Sequence, residues 1–556
     1  MILRDWSSDV CSSDLKMMGL ILAGCMMAGS VGCGSSSKET AAASGGESIS
    51  ENAEASGETE ALQEENSTAI AGDAAGDTED IAEIVVAFAG TGTIPNDVQM
   101  VEDAVNELIR NKINVVIDLQ CYTIGDFSQQ INLALTSGEQ IDLMCTTPVG
   151  SAQFSVMSSQ RQFQPLNDLI DEYGQGIVDV VGEDWFTSTS ADGNVYGIAS
   201  YSNKAKDTYF SIRTDLVEKY GLEEKVANID SIEDITEILE VLSTDDSIVA
   251  PIGGKQQIFT GTYGILNDNF DNIFYYDTLG AAALRVAGVA VDEDATTVVN
   301  LYETEEYRKV LDVVKDWYDK GYIYKDAATF NESGPDLIKT NVTACQFADS
   351  QLGVETSQSL ATGYDMTCVK VIDGIIDSNS MKQFVWGIPT VAREPEAAMK
   401  FLDLMYTDAE LVNLLTWGIE GTHYVENEDG TIGLPEGLTS ETSGYYLGGL
   451  DFVFGNCFLA KVWEGNDPDL REKSLKEMET HKMSPIVGFS MDTSMLENEI
   501  TALTNAVSEY RPSLECGMGD TDTQLQAFLE KLKACGSEKY IAEIQSQLNE
   551  YLASME

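Results

Sequence analysis

The chain has 556 residues, and 93 Asp and Glu against 32 Lys and Arg give a formal net charge of −61. That charge excludes nucleic acid as a partner, since such recognition rests on cations neutralising phosphates, and it excludes peripheral docking on anionic lipid. With 43% hydrophobic residues the chain can still fill a large core, and its length suits two or three domains.

Residues 1–15, MILRDWSSDVCSSDL, carry Asp5, Asp9 and Asp14 against Arg4. A secretory n-region is positive instead, so this stretch reads as a non-native leader, outside the fold. From Lys16 an apolar run follows that is too short to span a membrane but suits a secretory h-region. Cysteine after small residues resembles the lipobox of bacterial lipoproteins. "SVGC" ends at Cys33 and leads straight into the polar GSSS, whereas "LAGC" ends at Cys25 and leaves MMAGSVG to face water. The expected lipidation site is Cys33, with Cys25 as the alternative, so residues 16–33 form the signal peptide. Residues 34–80 hold twelve acidic residues, one lysine and no aromatic residue. They cannot bury enough apolar surface to offset their ordering entropy and form a disordered acidic linker.

Regular patterning starts at Glu83. EIVVAF (83–88), NVVIDL (114–119) and IDLMCT (141–146) are apolar runs bounded by turn residues, and they read as buried strands. Between them lie two helical stretches, one with Val98, Val101, Val105 and Leu108 on one face and Asn96 as N-cap, one ending at Gly138. Alternating strands and helices predict an α/β fold with a parallel sheet, and ligands of such sheets sit at the carboxyl ends of the strands. Here those ends are Ala89–Thr91, Gln120–Tyr122 and Thr146–Thr147. Trp317 shares a helical stripe with Leu311 and Val314 and reads as core. Near the C-terminus, Leu496, Ile500, Leu503, Val507 and Tyr510 predict an amphipathic helix over 494–510, and two further helices follow.

Several segments, in order, carry a family resemblance. SGEQID (Ser137–Asp142), DGNVYGIASYSN (Asp192–Asn203), TYFSIRTDLVEKYGL (Thr208–Leu222) and above all FVWGIPTVAREPEAAMKFLDLMYTDAELVNLLTWGIEGTHYV (Phe384–Val425) resemble the family 1 extracellular solute-binding proteins of carbohydrate-type ABC importers. The large Gram-positive lipoproteins are the subgroup concerned, and Ala199 stands where proline is usual. The resemblance implies a periplasmic-binding-protein-like type II fold, two α/β lobes joined by a hinge, with extra C-terminal helices. It implies an N-terminal lobe of residues 81–205 and 384–425 and a C-terminal lobe of 206–383 and 426–556. It also implies a monomeric receptor, tethered to the outer face of the membrane through its lipid alone, that passes a sugar to permease subunits.

Only two histidines occur, His423 and His481, with no HExxH, GxSxG or P-loop. Seven cysteines after Cys33 (Cys121, Cys145, Cys345, Cys368, Cys457, Cys516, Cys535) form no CxxC pair and read as buried apolar residues. No catalytic residue, metal or cofactor is expected. A sugar needs flat aromatics for its ring faces and polar groups for its rims. The residues that fit by position are Tyr122, Thr147, Tyr201, Trp386, Trp417, His423 and Tyr424. Lys204, Lys206 and Arg213 form a basic group that either meets an acidic sugar or pairs with nearby carboxylates. A peptide receptor of the same fold and a lipid-anchored glycoside hydrolase are the alternative functions.

Overall fold

A computed structural model describes residues 81–90, 94–148, 150–253, 264–265, 274–281, 284–292, 294–329, 332–447 and 450–555. The leader, the signal peptide, Cys25, Cys33 and the acidic linker lie outside the described residues.

The first half of the chain alternates as its apolar runs predict. β1 (Ala82–Gly90), α1 (Val98–Ile113), β2 (Val115–Thr123), α2 (Ile124–Ser137) and β3 (Leu143–Cys145) follow in order. β1 runs parallel to both β2 and β3. Gly138 ends α2 at φ +74°, a left-handed conformation that favours glycine. Position 97, not Asn96, precedes the first turn of α1, and Asp97 makes no side-chain cap there. After the short hairpin pair Ser190–Ala191 and Asn194–Val195 come β4 (Ile198–Ala199) and β5 (Asp207–Arg213). They are followed by β6 (Gly264–Ile265), β7 (Phe274–Asp277), β8 (Gly288–Ala290), β9 (Asp294–Val299) and α3 (Glu305–Asp319). β10 (Cys345–Ser350), α4 (Val354–Thr362), β11 (Met366–Ile372), β12 (Ile375–Ile376) and β13 (Val385–Gly387) come next. Last are α5 (Pro395–Thr407), α6 (Ala409–Trp417), α7 (Leu470–Met478) and β14 (Lys482–Met483), then α8 (Glu497–Leu514), α9 (Thr521–Ala534) and α10 (Ser537–Met555).

Two cores result. The first is a five-stranded sheet ordered β2-β1-β3-β13-β4, with β13 antiparallel to β3 and β4. Successive side chains of a strand point to opposite faces. Leu143 and Cys145 accordingly enter one cluster with Trp386, Phe401 and Phe454, whereas Met144 and Val385 enter another with Phe127, Trp185 and Ile376. The second core is built on a three-stranded antiparallel sheet, β10-β5-β11, and includes β8 and the last three helices. Trp317 is buried there and donates its Nε1–H to Thr236 Oγ1 at 2.8 Å. The helix expected over 494–510 runs three residues later than its apolar stripe suggests, from Glu497, and Leu503 and Val507 are buried.

The chain passes between these cores three times, from β4 to β5, from β11 to β13, and between Met478 and Ile486. Residues 445–454 pack into the first core through Tyr445, Leu447, Leu450, Val453 and Phe454. The family resemblance implies a C-terminal lobe that includes 426–556; within it, this stretch packs against the first core. The α6 backbone holds this stretch in place: Tyr445 OH donates to the Leu415 carbonyl oxygen at 2.7 Å.

Candidate functional site

The carboxyl ends of β1, β2 and β3 meet a rim of half-buried aromatics. Tyr122 lies near the end of β2, its hydroxyl donating to Gln120 Oε1 at 2.7 Å and its ring edge-on to Phe127 at 5.8 Å. Burial and the nearby Glu139 and Asp118 carboxylates raise its phenol above the usual tyrosine range. Tyr201 belongs to the first crossing and is fixed by its backbone, taking Cys457 N–H on its carbonyl at 3.0 Å and giving its own N–H to Gly455 O at 2.7 Å. Its ring stands edge-on to Trp185 (5.1 Å) and to Phe458 (5.2 Å). Tyr122, Tyr201 and Phe458 all border the same apolar cluster. Thr147, just past β3, is buried, and its N–H donates to Ala152 O at 3.0 Å.

The remaining nominees sit elsewhere. Trp386 is fully buried in β13 and donates Nε1–H to Val453 O at 2.8 Å. The strand alternation that sends Val385 to the opposite face turns this indole into the first core, where it packs as a core residue. His423 is also buried: Nδ1 accepts the Ile419 N–H at 2.9 Å and Nε2 faces Asp97 Oδ2 at 3.4 Å. It pins the loop after α6 to the start of α1. Trp417 and Tyr424 are buried in a small cluster with Ile432, and burial pushes the Tyr424 hydroxyl up to about 12.

Trp463 packs against that cluster, and Tyr446 packs in turn on Trp463; neither stood out in the sequence. Trp463 is half-buried, its ring 5.3 Å from Trp417 and 5.6 Å from Tyr446. Its loop reaches the second lobe, where Thr356 of α4 donates Oγ1–H to Gly465 O at 2.6 Å. The signal was an aromatic inside the turn-rich KVWEGNDPD, the setting in which binding residues are common. A cavity of about 350 Å³ lies beside the same cluster, bordered by Gly418, Glu420, Tyr424 and Lys461.

The basic group does not assemble. Arg213 forms a fork with Asp215 at the far end of β5, its guanidinium 3.7 Å above the Tyr364 ring. Lys204 is buried with neutral partners, Ser200 Oγ at 3.2 Å and Gln383 O at 3.3 Å, and burial pushes its ammonium down to about 8. These bonds tie the first crossing to the second. Gln351 adds another tie, donating Nε2–H to Asn203 O at 2.6 Å and Ala205 O at 3.1 Å.

The seven cysteines of the described residues are free thiols, four of them buried. Among the described residues no group of three or more His, Cys, Asp and Glu could hold a metal ion, and no helix is long and apolar enough to cross a membrane.

Residues 485–553 match a family described as Domain of unknown function (DUF3502). The chain is homologous to a carbohydrate ABC transporter substrate-binding protein of Streptococcus pneumoniae serotype 4, 24% identical over 479 residues, which span 84% of this chain and 91% of the relative. The fold is similar to that of the N-glycan transport solute binding protein NgtS from Streptococcus pneumoniae, with TM-score 0.71 and 22% identity over 85% of this chain and 100% of that one. A structure of NgtS in complex with Man5GlcNAc matches with TM-score 0.59 and 22% identity over 85% and 99% of the two chains. The architecture is thus the two-lobed type II periplasmic-binding fold.

Proposed function

We infer that this chain, homologous to a substrate-binding protein of carbohydrate ABC transporters and built on the type II fold, is an oligosaccharide receptor that delivers its ligand to a permease. The observation that carries this reading is the joint between the lobes. Two separately cored lobes are linked by three crossings, and half-buried aromatics from Tyr122, Tyr201 and Phe458 rim the strand ends beside them. A ligand that touches both lobes only when they approach shifts the population toward closure, and no bond is made or broken.

The named complexes of NgtS with Man1GlcNAc and Man5GlcNAc favour a mannose- and N-acetylglucosamine-containing oligosaccharide here as well. The residues proposed to touch it are Tyr122, Thr147, Tyr201 and Phe458 on one side and Trp463 and Tyr446, backed by Trp417 and Tyr424, on the other. The protein works outside the cell as a monomer, held to the membrane by lipid on Cys33, or on Cys25 if cleavage falls earlier. Mass spectrometry of the mature N-terminus separates the two: retention of Met26 assigns Cys25.

Calorimetric titration with Man5GlcNAc, with product analysis of the same samples, tests the function. Saturable binding with intact sugar is expected. Released monosaccharide would instead establish a glycoside hydrolase, and binding of peptides but no glycan would establish a peptide receptor.

A further inference from the structure

Two carboxyl groups from different parts of the hinge meet in its interior. Asp207 opens β5 and is 1% exposed. Glu477 comes from the last turn of α7, whose Met478 packs with Ile376 and Ala205 in the cluster that also holds Met144 and Val385. Asp207 Oδ1 accepts the Gly374 N–H at 2.7 Å and lies 2.9 Å from His481 Nε2. One ammonium serves both acids: Lys370 Nζ is 3.1 Å from Glu477 Oε1 and 3.4 Å from Asp207 Oδ2, and it also pairs with the exposed Asp373 at 2.7 Å.

The second oxygen of each acid, Asp207 Oδ2 and Glu477 Oε2, is buried and accepts no hydrogen bond from an N–H or hydroxyl. Two carboxylates facing one shared cation, one buried and one half-buried, repel each other, and a proton on one of them relieves both. Glu477 is the holder. Burial and the Asp207 charge raise its carboxyl, whereas bonds from His481 and Gly374 outweigh burial and keep Asp207 low. Beside Lys370, His481 is a second basic group at the pair, on the Asp207 side. Tyr209, on β5, buries its hydroxyl without a partner, and Tyr275 of β7 donates to Asp373 O. Lys482 of β14 lies over the Tyr275 ring and pairs with Asp292.

We propose that this joint links proton uptake to lobe arrangement: Glu477 carries a proton and donates a hydrogen bond with it to the Asp207 carboxylate in the arrangement described here, and release of that proton to solvent loosens the hinge. The sign follows. A proton held more tightly in the joined state stabilises that state at acid pH, and the contribution is lost as pH rises through the joined value. The inference rests on the hinge reading of the proposed function, but its readout needs no ligand. A protein that binds no glycan and still shows the shift refutes the glycan reading alone.

The test places spin labels on a noncanonical residue at Leu133 of α2 and Leu360 of α4, both exposed, leaving the native thiols untouched. Interlobe distances of the ligand-free full chain are then read by electron–electron double resonance across a pH series running upward from the ordinary carboxylate range to mildly alkaline conditions. The wild type is expected to move from one distribution toward a broader or displaced one, and Glu477→Gln to keep the acid-pH distribution throughout. A wild-type distribution unchanged across the range overturns the proposal, as does a Glu477→Gln variant that shifts like the wild type. If Glu477→Gln fails to fold in a thermal scan, Lys370→Met replaces it. Losing the shared cation should move the transition to higher pH, and an unmoved midpoint overturns the proposal equally.

Discussion

Gly374 is locked against Lys206: a Cβ at position 374 would lie 2.4 Å from the Lys206 carbonyl oxygen and 2.6 Å from its carbonyl carbon. The first and second crossings therefore touch backbone to backbone, with the Gly374 N–H on Asp207 Oδ1 as their bond. Gly374→Ala forces these main chains apart and should cost about 1–3 kcal/mol, the usual range for overpacking. Thermal unfolding checks this, and a variant as stable as the wild type would show that the hinge yields freely.

Trp463 and Trp386 should behave oppositely on truncation. Trp463→Ala removes a half-buried ring, so glycan affinity is expected to fall by about 1–2 kcal/mol with little change in stability. Trp386→Ala empties a fully buried site in the first core and should destabilise by about 3–5 kcal/mol. Calorimetric binding and chemical denaturation, run on both variants, separate the two roles.

Asp142, the acid of the SGEQID segment, is buried at an edge where several chain segments converge. Its carboxylate accepts the Val85 N–H at 2.9 Å, the Arg393 N–H at 2.6 Å and the Glu394 N–H at 3.0 Å. These bonds tie β1 to the entry of α5. Asp142→Ala leaves buried donors unpaired and is expected to cost about 2–4 kcal/mol, read as a lower denaturation midpoint.

Asp377 gives the fold a pH dependence. Its carboxyl is pushed up to about 7 by burial and by the neighbouring Asp277 charge. The unfolded chain releases the same proton near pH ~3.9. Between about pH 4 and 7 the folded state thus binds more protons, and stability falls as pH rises across that window. Asp377→Asn keeps an oxygen for the Ser380 N–H, which now reaches Oδ1 at 2.7 Å, and should flatten the slope in unfolding measured at several pH values.

The strands of the first lobe were legible because each is a short apolar run closed by turn residues, and the C-terminal helices because their stripes repeat at helical spacing. Position in the sequence was a poorer guide to facing. Trp386 stands at a crossing, yet one step of strand alternation turns it inward. His423 and Tyr424 share an aromatic-rich stretch with Trp417, yet the loop after α6 turns His423 onto Asp97 at the start of α1 and buries Tyr424 with Ile432. Trp463 was missed because its segment reads as turn. The partnership of Asp207 with His481, 274 residues apart, leaves no local pattern at all, since only the return of the chain through the hinge brings them together.

The second and third crossings are also joined to each other, by the parallel pair β12–β14 in the registers Ile375 with Lys482 and Ile376 with Met483. The Ser484 N–H extends this pairing to Ile376 O at 2.8 Å. Two of the three connections are thereby fused into one ribbon, and sliding one past the other would break backbone hydrogen bonds. Bending and twisting of the ribbon as a unit would not. Any movement of one lobe against the other that keeps these hydrogen bonds must carry the second and third connections together.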